Sequence, residues 1–269
     1  VPDHLAIARS PAQPAESLDA FDVPAAVLCA VCGRAECEGC LAEGDRGSGV
    51  VAIVPWERAD AGAWSRLWAT SRHATFAADG FFAALPNGPL GPALRFALFA
   101  ELLAVASMAT ALAALLGLAL PELALAIVLR APTAGALAGW AVAGLLGVTL
   151  WMVVLHAAHG VTVDVAARRA GAGTQRRRAL RLGLYSCGWD LMTSPLGAAA
   201  TLFADGARAT LGLASLAVGV PGRATLASLR GIYGLEPAAA DAARALAIRL
   251  VSVVVLASVL PLLALMWLI

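Results

Sequence analysis

Apolar and polar positions are segregated along this chain. Residues 1–92 mix charged, apolar, Pro and Gly positions, whereas residues 93–269 are mostly Ala, Leu, Val and Gly. A hydrocarbon core about 30 Å thick needs about 20 apolar residues per helix, and runs of that length recur. They predict spans at 93–119, ended by Leu120-Pro121; at 133–159; at 179–203, less apolar and kinked at Ser194-Pro195; at 210–232, the weakest, interrupted by Pro221-Gly222-Arg223; and at 245–269, the most apolar, with Pro261 inside it. The second span carries Gly135, Gly139, Gly144 and Gly147, which permit close helix contact and make helix-mediated homo-oligomers an expectation. The predicted fold is all-α: a polytopic transmembrane bundle of about five helices.

The polar third reads differently. Residues 1–24 are rich in Pro, Ala, Ser and Asp and are expected to be disordered. Their first 20 positions hold no apolar core of the kind a secretory leader needs. A cysteine-bearing segment and linker fill 25–49. Val50–Glu57 is an extended apolar stretch halted at Pro55. Over 60–88, Trp64, Leu67, Trp68 and Phe76 recur at helical spacing with Arg66, Arg72 and His73 between them. That pattern predicts an interfacial helix lying among the headgroups, or else a small helix packed on the cysteine segment.

Composition agrees with the span count. The 269 residues are 60% hydrophobic and only 14% charged, against about 25% charged in a soluble domain. Net charge is +1, so no broad basic field points to nucleic acid. Every basic residue is Arg, and placement is informative. Arg168, Arg169, Arg176, Arg177, Arg178 and Arg181 follow the second span; Arg223, Arg230, Arg244 and Arg249 flank the junction of the fourth and fifth; Arg34, Arg46, Arg58, Arg66 and Arg72 precede the first. Five crossings put all three groups on one side. By the positive-inside rule that side is the cytosol, which predicts a cytoplasmic-membrane protein with its N-terminus inside and Ile269 outside.

Four of the five cysteines fall in twelve residues: Cys29-x-x-Cys32, four residues, Cys37-x-x-Cys40. Paired C-x-x-C turns, opened here by Gly33 and Gly39, suit a closed four-thiolate zinc site, structural rather than catalytic. Zinc would then supply folding energy that so short a segment lacks. The four-residue gap is short for one ion. Each pair could instead share ligands from elsewhere, such as His4 or a second subunit, and an iron–sulfur cluster or free thiols stay open alternatives.

Ile53-Val54-Pro55-Trp56-Glu57, then a Phe-rich stretch ending Leu85-Pro86-Asn87-Gly88 directly before the first span, resembles the prokaryotic branch of the Yip (Ypt/Rab-interacting-protein) family. Arg178-Ala179-Leu180-Arg181 with Leu184-Tyr185-Ser186, and Leu229-Arg230-Gly231-Ile232-Tyr233-Gly234-Leu235, are similar to later family segments, although Tyr233 stands where His is usual. The resemblance implies a five-span membrane protein with an N-terminal cysteine knuckle. It brings no catalytic residues and, in a prokaryotic setting, no Rab partner.

Ionisable residues inside spans are costly and mark sites. Glu101 lies in the first span, His156 near the inner end of the second and Asp190 in the third, with Tyr185, Cys187, Trp189 and Ser194 near the last in sequence. Glu101 and Asp190 fall at similar depth. They could form a polar cavity for an ion, a proton or a lipid headgroup, or simply a helix–helix hydrogen bond. His156 and His159 lack the Glu of a metalloprotease H-E-x-x-H and read as interfacial histidines. Asp205 and Arg208 flank an outer turn and could pair. No phosphate loop or nucleophile motif is present. The leading functional expectation is therefore a non-enzymatic scaffold in the bilayer whose zinc segment recognises a cytosolic or membrane protein. The alternative is a small transporter or lipid-handling protein using Glu101 and Asp190.

Overall fold

The computed structural model describes residues 54–268 apart from Asp60 and Ala131; side chains at 214–218 and 261–268 are left aside. The expected disordered stretch and the cysteine segment with Cys29, Cys32, Cys37 and Cys40 lie outside the described residues. Among the described residues all regular structure is helical: a 3-10 turn at Pro55–Glu57, then α1 (Ala63–Phe76), α2 (Ala78–Ala83), α3 (Leu90–Ala119), α4 (Pro121–Arg130), α5 (Ala134–Arg169), α6 (Arg176–Thr193), α7 (Pro195–Asp205), α8 (Ala207–Gly231) and α9 (Pro237–Leu268).

Three of these, α3, α5 and α9, are long and apolar enough to cross a membrane, and the chain is built as a helical membrane protein. Their outward faces are apolar: Leu112, Leu115 and Leu118 on α3, Val142 and Leu150 on α5, and Val253 and Leu256 on α9 are exposed on the protein surface. Lipid tails, not protein, are the solvent such faces require.

The other two predicted spans differ from expectation. The third is broken where Pro195, lacking an N–H, cannot continue α6. Ser194 takes an extended backbone, and its hydroxyl caps α7 by accepting from the Gly197 N–H at 3.3 Å. Nor does α7 prolong the axis of α6. A straight continuation from Gly188 would carry Asp205 about 25 Å farther. Instead the Asp205 carboxylate accepts from Arg72 Nη1 at 2.6 Å, and the neighbouring Ser71 Cα is 3.0 Å from where a Gly188 Cβ would sit. So α7 turns back, and Asp205 pairs with Arg72 on α1 rather than with Arg208. Gly206 makes the turn into α8 with φ 84° and ψ 174°, a region open essentially to glycine alone. The fourth predicted span, α8, holds Pro221 within it.

The least apolar long segment, α6, lies at the centre, against α1, α3, α5, α7 and α8. Shielded by protein on every side, it has no need of a lipid-compatible face. The aromatic stretch before α3 packs on the bundle. Leu67, Ala74, Ala78 and Phe82 are buried, and the Trp189 indole of α6 donates to the Ala74 carbonyl at 2.9 Å.

The α5–α6 contact is made by glycines, but not by those the sequence suggested. A Cβ on Gly160 would lie 2.1 Å from the Ala179 carbonyl oxygen, and one on Gly183 2.1 Å from that of His156. Around Gly139, Gly144 and Gly147 there is open space. The Gly-rich half of α5 thus makes no tight contact within the described chain, while its Arg-rich half lies backbone to backbone against α6.

Two outcomes follow from this packing. Gly160→Ala must separate two backbones and is expected to lower stability in detergent by about 1–3 kcal/mol, whereas Gly144→Ala is expected to be neutral or to add about 0.5–1 kcal/mol through helix propensity; equal thermal midpoints for the two would contradict the contact. A short bis-maleimide is expected to join Arg72→Cys to Asp205→Cys, with the other cysteines replaced, read as fragments held together after cleavage at a protease site placed in the α5–α6 loop. A straight third span requires this pair to remain unlinked.

Candidate functional site

Two interior clusters stand out, and the first is structural. Arg181, on α6, has no exposed surface. Its Nη1 lies 2.7 Å from Glu57 Oε1 and donates to the Pro89 carbonyl at 2.9 Å, while Nη2 donates to Glu57 Oε2 at 3.0 Å. Tyr185, one turn on, donates its hydroxyl to the same Glu57 at 2.5 Å. The guanidinium thus ties the 3-10 turn, the residue before α3 and α6 into one unit. Trp56 completes it: its indole donates to the Pro92 carbonyl and its backbone N–H to the Thr70 hydroxyl, both at 2.8 Å. Gly88 fits beneath the guanidinium, where a Cβ would meet Nη1 at 2.7 Å. These are the positions that carry the Pro55-Trp56-Glu57, Asn87-Gly88 and Arg181/Tyr185 resemblance.

The second cluster is chemical. Glu101, His156 and Asp190 come from α3, α5 and α6, and the structure brings all three together. His156 Nε2 is 2.8 Å from Asp190 Oδ2 and 3.3 Å from Glu101 Oε1. Glu101 is fully buried, and beyond the 3.3 Å contact with His156 neither of its carboxylate oxygens has a hydrogen-bond partner. A buried carboxylate so thinly partnered is expensive, so this group needs a proton or a cation beside it. Cys187, one turn before Asp190, joins the group: a carboxylate oxygen of Glu101, a ring nitrogen of His156 and the Cys187 sulfur lie within 4.8 Å of one another. Sequence reading noted Cys187 only as a neighbour of Asp190. Its convergence with His156 depends on the Gly160–Gly183 crossing one turn away, which spacing along the chain does not show.

Cavities flank the cluster on two sides, one at the α6–α7 break and one beside Pro221 of α8. One, of about 440 Å³, lies between α3 and α5 and reaches Glu101, Asp190, Thr193 and Ser194 at the end of α6. The other, of about 490 Å³, is lined by His156, His159 and Asp190 and by Pro221, Gly222 and Thr225 of α8. Asp190 and Met152 border both. His159 is buried against protein, with Nε2 3.0 Å from the Thr225 hydroxyl, and that hydroxyl donates to the Pro221 carbonyl at 2.7 Å.

A third polar group closes the Arg-rich end. Asp164 accepts from the Gln175 N–H and the Tyr233 hydroxyl, both at 2.9 Å, and Arg168 lies 3.3 Å away. Burial and the bond to Asp164 hold the Tyr233 hydroxyl above its ordinary pKa, so it stays a donor at physiological pH. This joins the α5–α6 turn to the α8–α9 turn.

Loss of one partner from a buried ion pair costs about 3–5 kcal/mol. Arg181→Ala is therefore expected to abolish accumulation of folded protein or to lower its thermal midpoint severely. Gly88→Ala, which presses on a guanidinium held by three acceptor contacts, is expected to cost about 1–3 kcal/mol. Wild-type midpoints in both variants would show the network to be dispensable.

No family model, curated protein or solved structure matches this chain.

Proposed function

We propose that this chain is a small ion-handling carrier of the membrane, whose working site is the Glu101–His156–Asp190 cluster taking up and releasing a proton or a cation. The observation that carries the reading is the buried carboxylate of Glu101 beside an imidazole that it shares with a second carboxylate, in the interior of the helical bundle. Interior ionisable groups of this kind are costly to insert and serve ion or proton pathways.

A helix break supports it. Discontinuous helices that end at a mid-membrane site are a recurrent device of transporters. Here α6 ends at Thr193 beside Glu101 and Asp190, while Pro221, within the continuous α8, borders the cavity on the other side of His156. Two cavities meeting at one titratable cluster offer separate approaches to it.

Orientation follows from where the Arg-rich ends gather. Arg181 binds Pro89 ahead of α3, and Asp164 near the end of α5 binds both Gln175 ahead of α6 and Tyr233 ahead of α9. The start of α3, the end of α5, the start of α6 and the start of α9 therefore share one end of the bundle. Under the positive-inside rule that end faces the cytosol. The Yip resemblance fits as a structural likeness, because its residues build the Arg181–Glu57 tie rather than the reactive cluster. A scaffold role would rest on residues 25–49, outside the described residues, so the interior site carries the proposal.

Reconstituted in liposomes with a trapped pH dye, the wild-type chain is expected to move protons, or a cation in exchange for protons, when a gradient is applied. Glu101→Gln and His156→Ala are each expected to lower that flux at least about tenfold, in line with losses seen when a positioned proton-transfer group is removed. Flux no greater than in empty vesicles across a panel of monovalent and divalent cations would defeat the carrier reading.

A further inference from the structure

We infer that Glu101, His156 and Cys187 form a binding site for a divalent first-row transition metal, with zinc the fitting occupant. This deepens the carrier reading, on which it rests, by naming the ion class.

The donor set is the first ground. One carboxylate oxygen, one imidazole nitrogen and one thiolate sulfur are a borderline-soft set that suits zinc, cobalt or copper, whereas magnesium and calcium require oxygen ligands throughout. A sodium or proton site has no use for a sulfur at this position.

Geometry is the second. Zinc bonds of about 2.0–2.3 Å in a tetrahedron set ligand atoms about 3.3–3.8 Å apart. His156 Nε2 and Glu101 Oε1 are 3.3 Å apart, one tetrahedral edge already in place. The full trio fits within 4.8 Å, so side-chain adjustments of about 1 Å or less complete the set. Each ligand comes from a different helix, and the backbone contact of Gly160 with Ala179 keeps two of those helices in register.

Charge is the third. Cys187 releases its thiol proton on binding, so one thiolate, one carboxylate and a neutral imidazole balance a dication to zero. A neutral complex suits an interior where an isolated charge is costly. It also answers the thinly partnered Glu101 oxygens. Asp190, 2.8 Å from His156 Nε2 and bordering both cavities, lies beside the trio; its bond to Nε2 gives way when that nitrogen takes the metal, which frees its carboxylate to accept from a metal-bound water in the open fourth position. A site with one open position exchanges its ion, as a carrier must, in contrast to a closed four-thiolate site.

The test uses the full-length chain in detergent with Cys29, Cys32, Cys37 and Cys40 all changed to Ser, leaving Cys187 as the sole thiol. Titration with cobalt(II) is expected to give one equivalent bound, intense visible bands of a tetrahedral ion and a near-ultraviolet thiolate-to-cobalt band. Cys187→Ser is expected to remove the thiolate band, and Glu101→Gln to weaken cobalt at least about tenfold. Zinc is expected to displace the cobalt spectrum. The absence of a thiolate-to-cobalt band while Cys187 is present overturns the inference, and that reading needs no site variant to fold. Persistence of the band in Cys187→Ser overturns it as well. Proton flux that depends on Glu101 without any cobalt binding would remove the metal and leave the carrier; cobalt held at Cys187 in a chain that moves no ion would do the reverse.

Discussion

A guanidinium with no exposed surface cannot be left unpaired inside a membrane protein, and much of this fold follows from how Arg181 is satisfied. Its acceptors are Glu57 and the Pro89 carbonyl, one from the 3-10 turn and one from the residue that opens α3. Holding both against α6 fixes the path of the chain between them. That path is α1 and α2, which therefore pack against α6 and α8. The aromatic rings of Phe81, Phe82, Tyr185 and Trp189 then meet edge to face through this layer, with Phe96 tilted against Tyr185, at centroid spacings of 4.9–6.1 Å, within the range where such pairs add to simple burial.

Solvent sorts the helices. Those with apolar outer faces, α3, α5 and α9, are long and apolar enough to cross a membrane. The helix with Arg181, Tyr185, Ser186, Cys187 and Asp190 is enclosed by its neighbours and supplies polar groups to the interior. Two close approaches give that enclosure its rigidity: the glycine contact between α5 and α6, and Gly231 of α8, where a Cβ would lie 2.5 Å from the Ala83 carbonyl oxygen of α2. The cluster of Glu101, His156, Cys187 and Asp190 sits one turn from the first of these. Its distances are thus set by backbones in contact rather than by flexible side chains.

The sequence was most legible where one physical rule dominated. Long apolar runs marked α3, α5 and α9, and the cost of burying charge marked Glu101, His156 and Asp190. It was less legible where tertiary contacts decide. The third and fourth apolar runs read as crossings because Ala, Leu and Gly fill them, yet Ser194-Pro195 and Gly206 fold the first of them back upon itself. The small residues that matter for packing are Gly160 and Gly183, at an Arg-rich end, not the more regular series from Gly135 to Gly147. Glu57 and Arg181 are separated by 124 positions, and no local pattern pairs residues so far apart. Their individual oddity, a Glu beside an apolar stretch and an Arg within a predicted span, was the available signal.

Because α6 begins and α8 ends at the same end of the bundle, the stretch from 176 to 231 departs from one leaflet and comes home to it. It is neutral with respect to crossing parity. Changes of length within it leave the directions of α5 and α9 as they are, so long as Arg181 keeps its hold on Glu57 and Pro89. The same stretch brings Cys187 and Asp190 to the interior cluster.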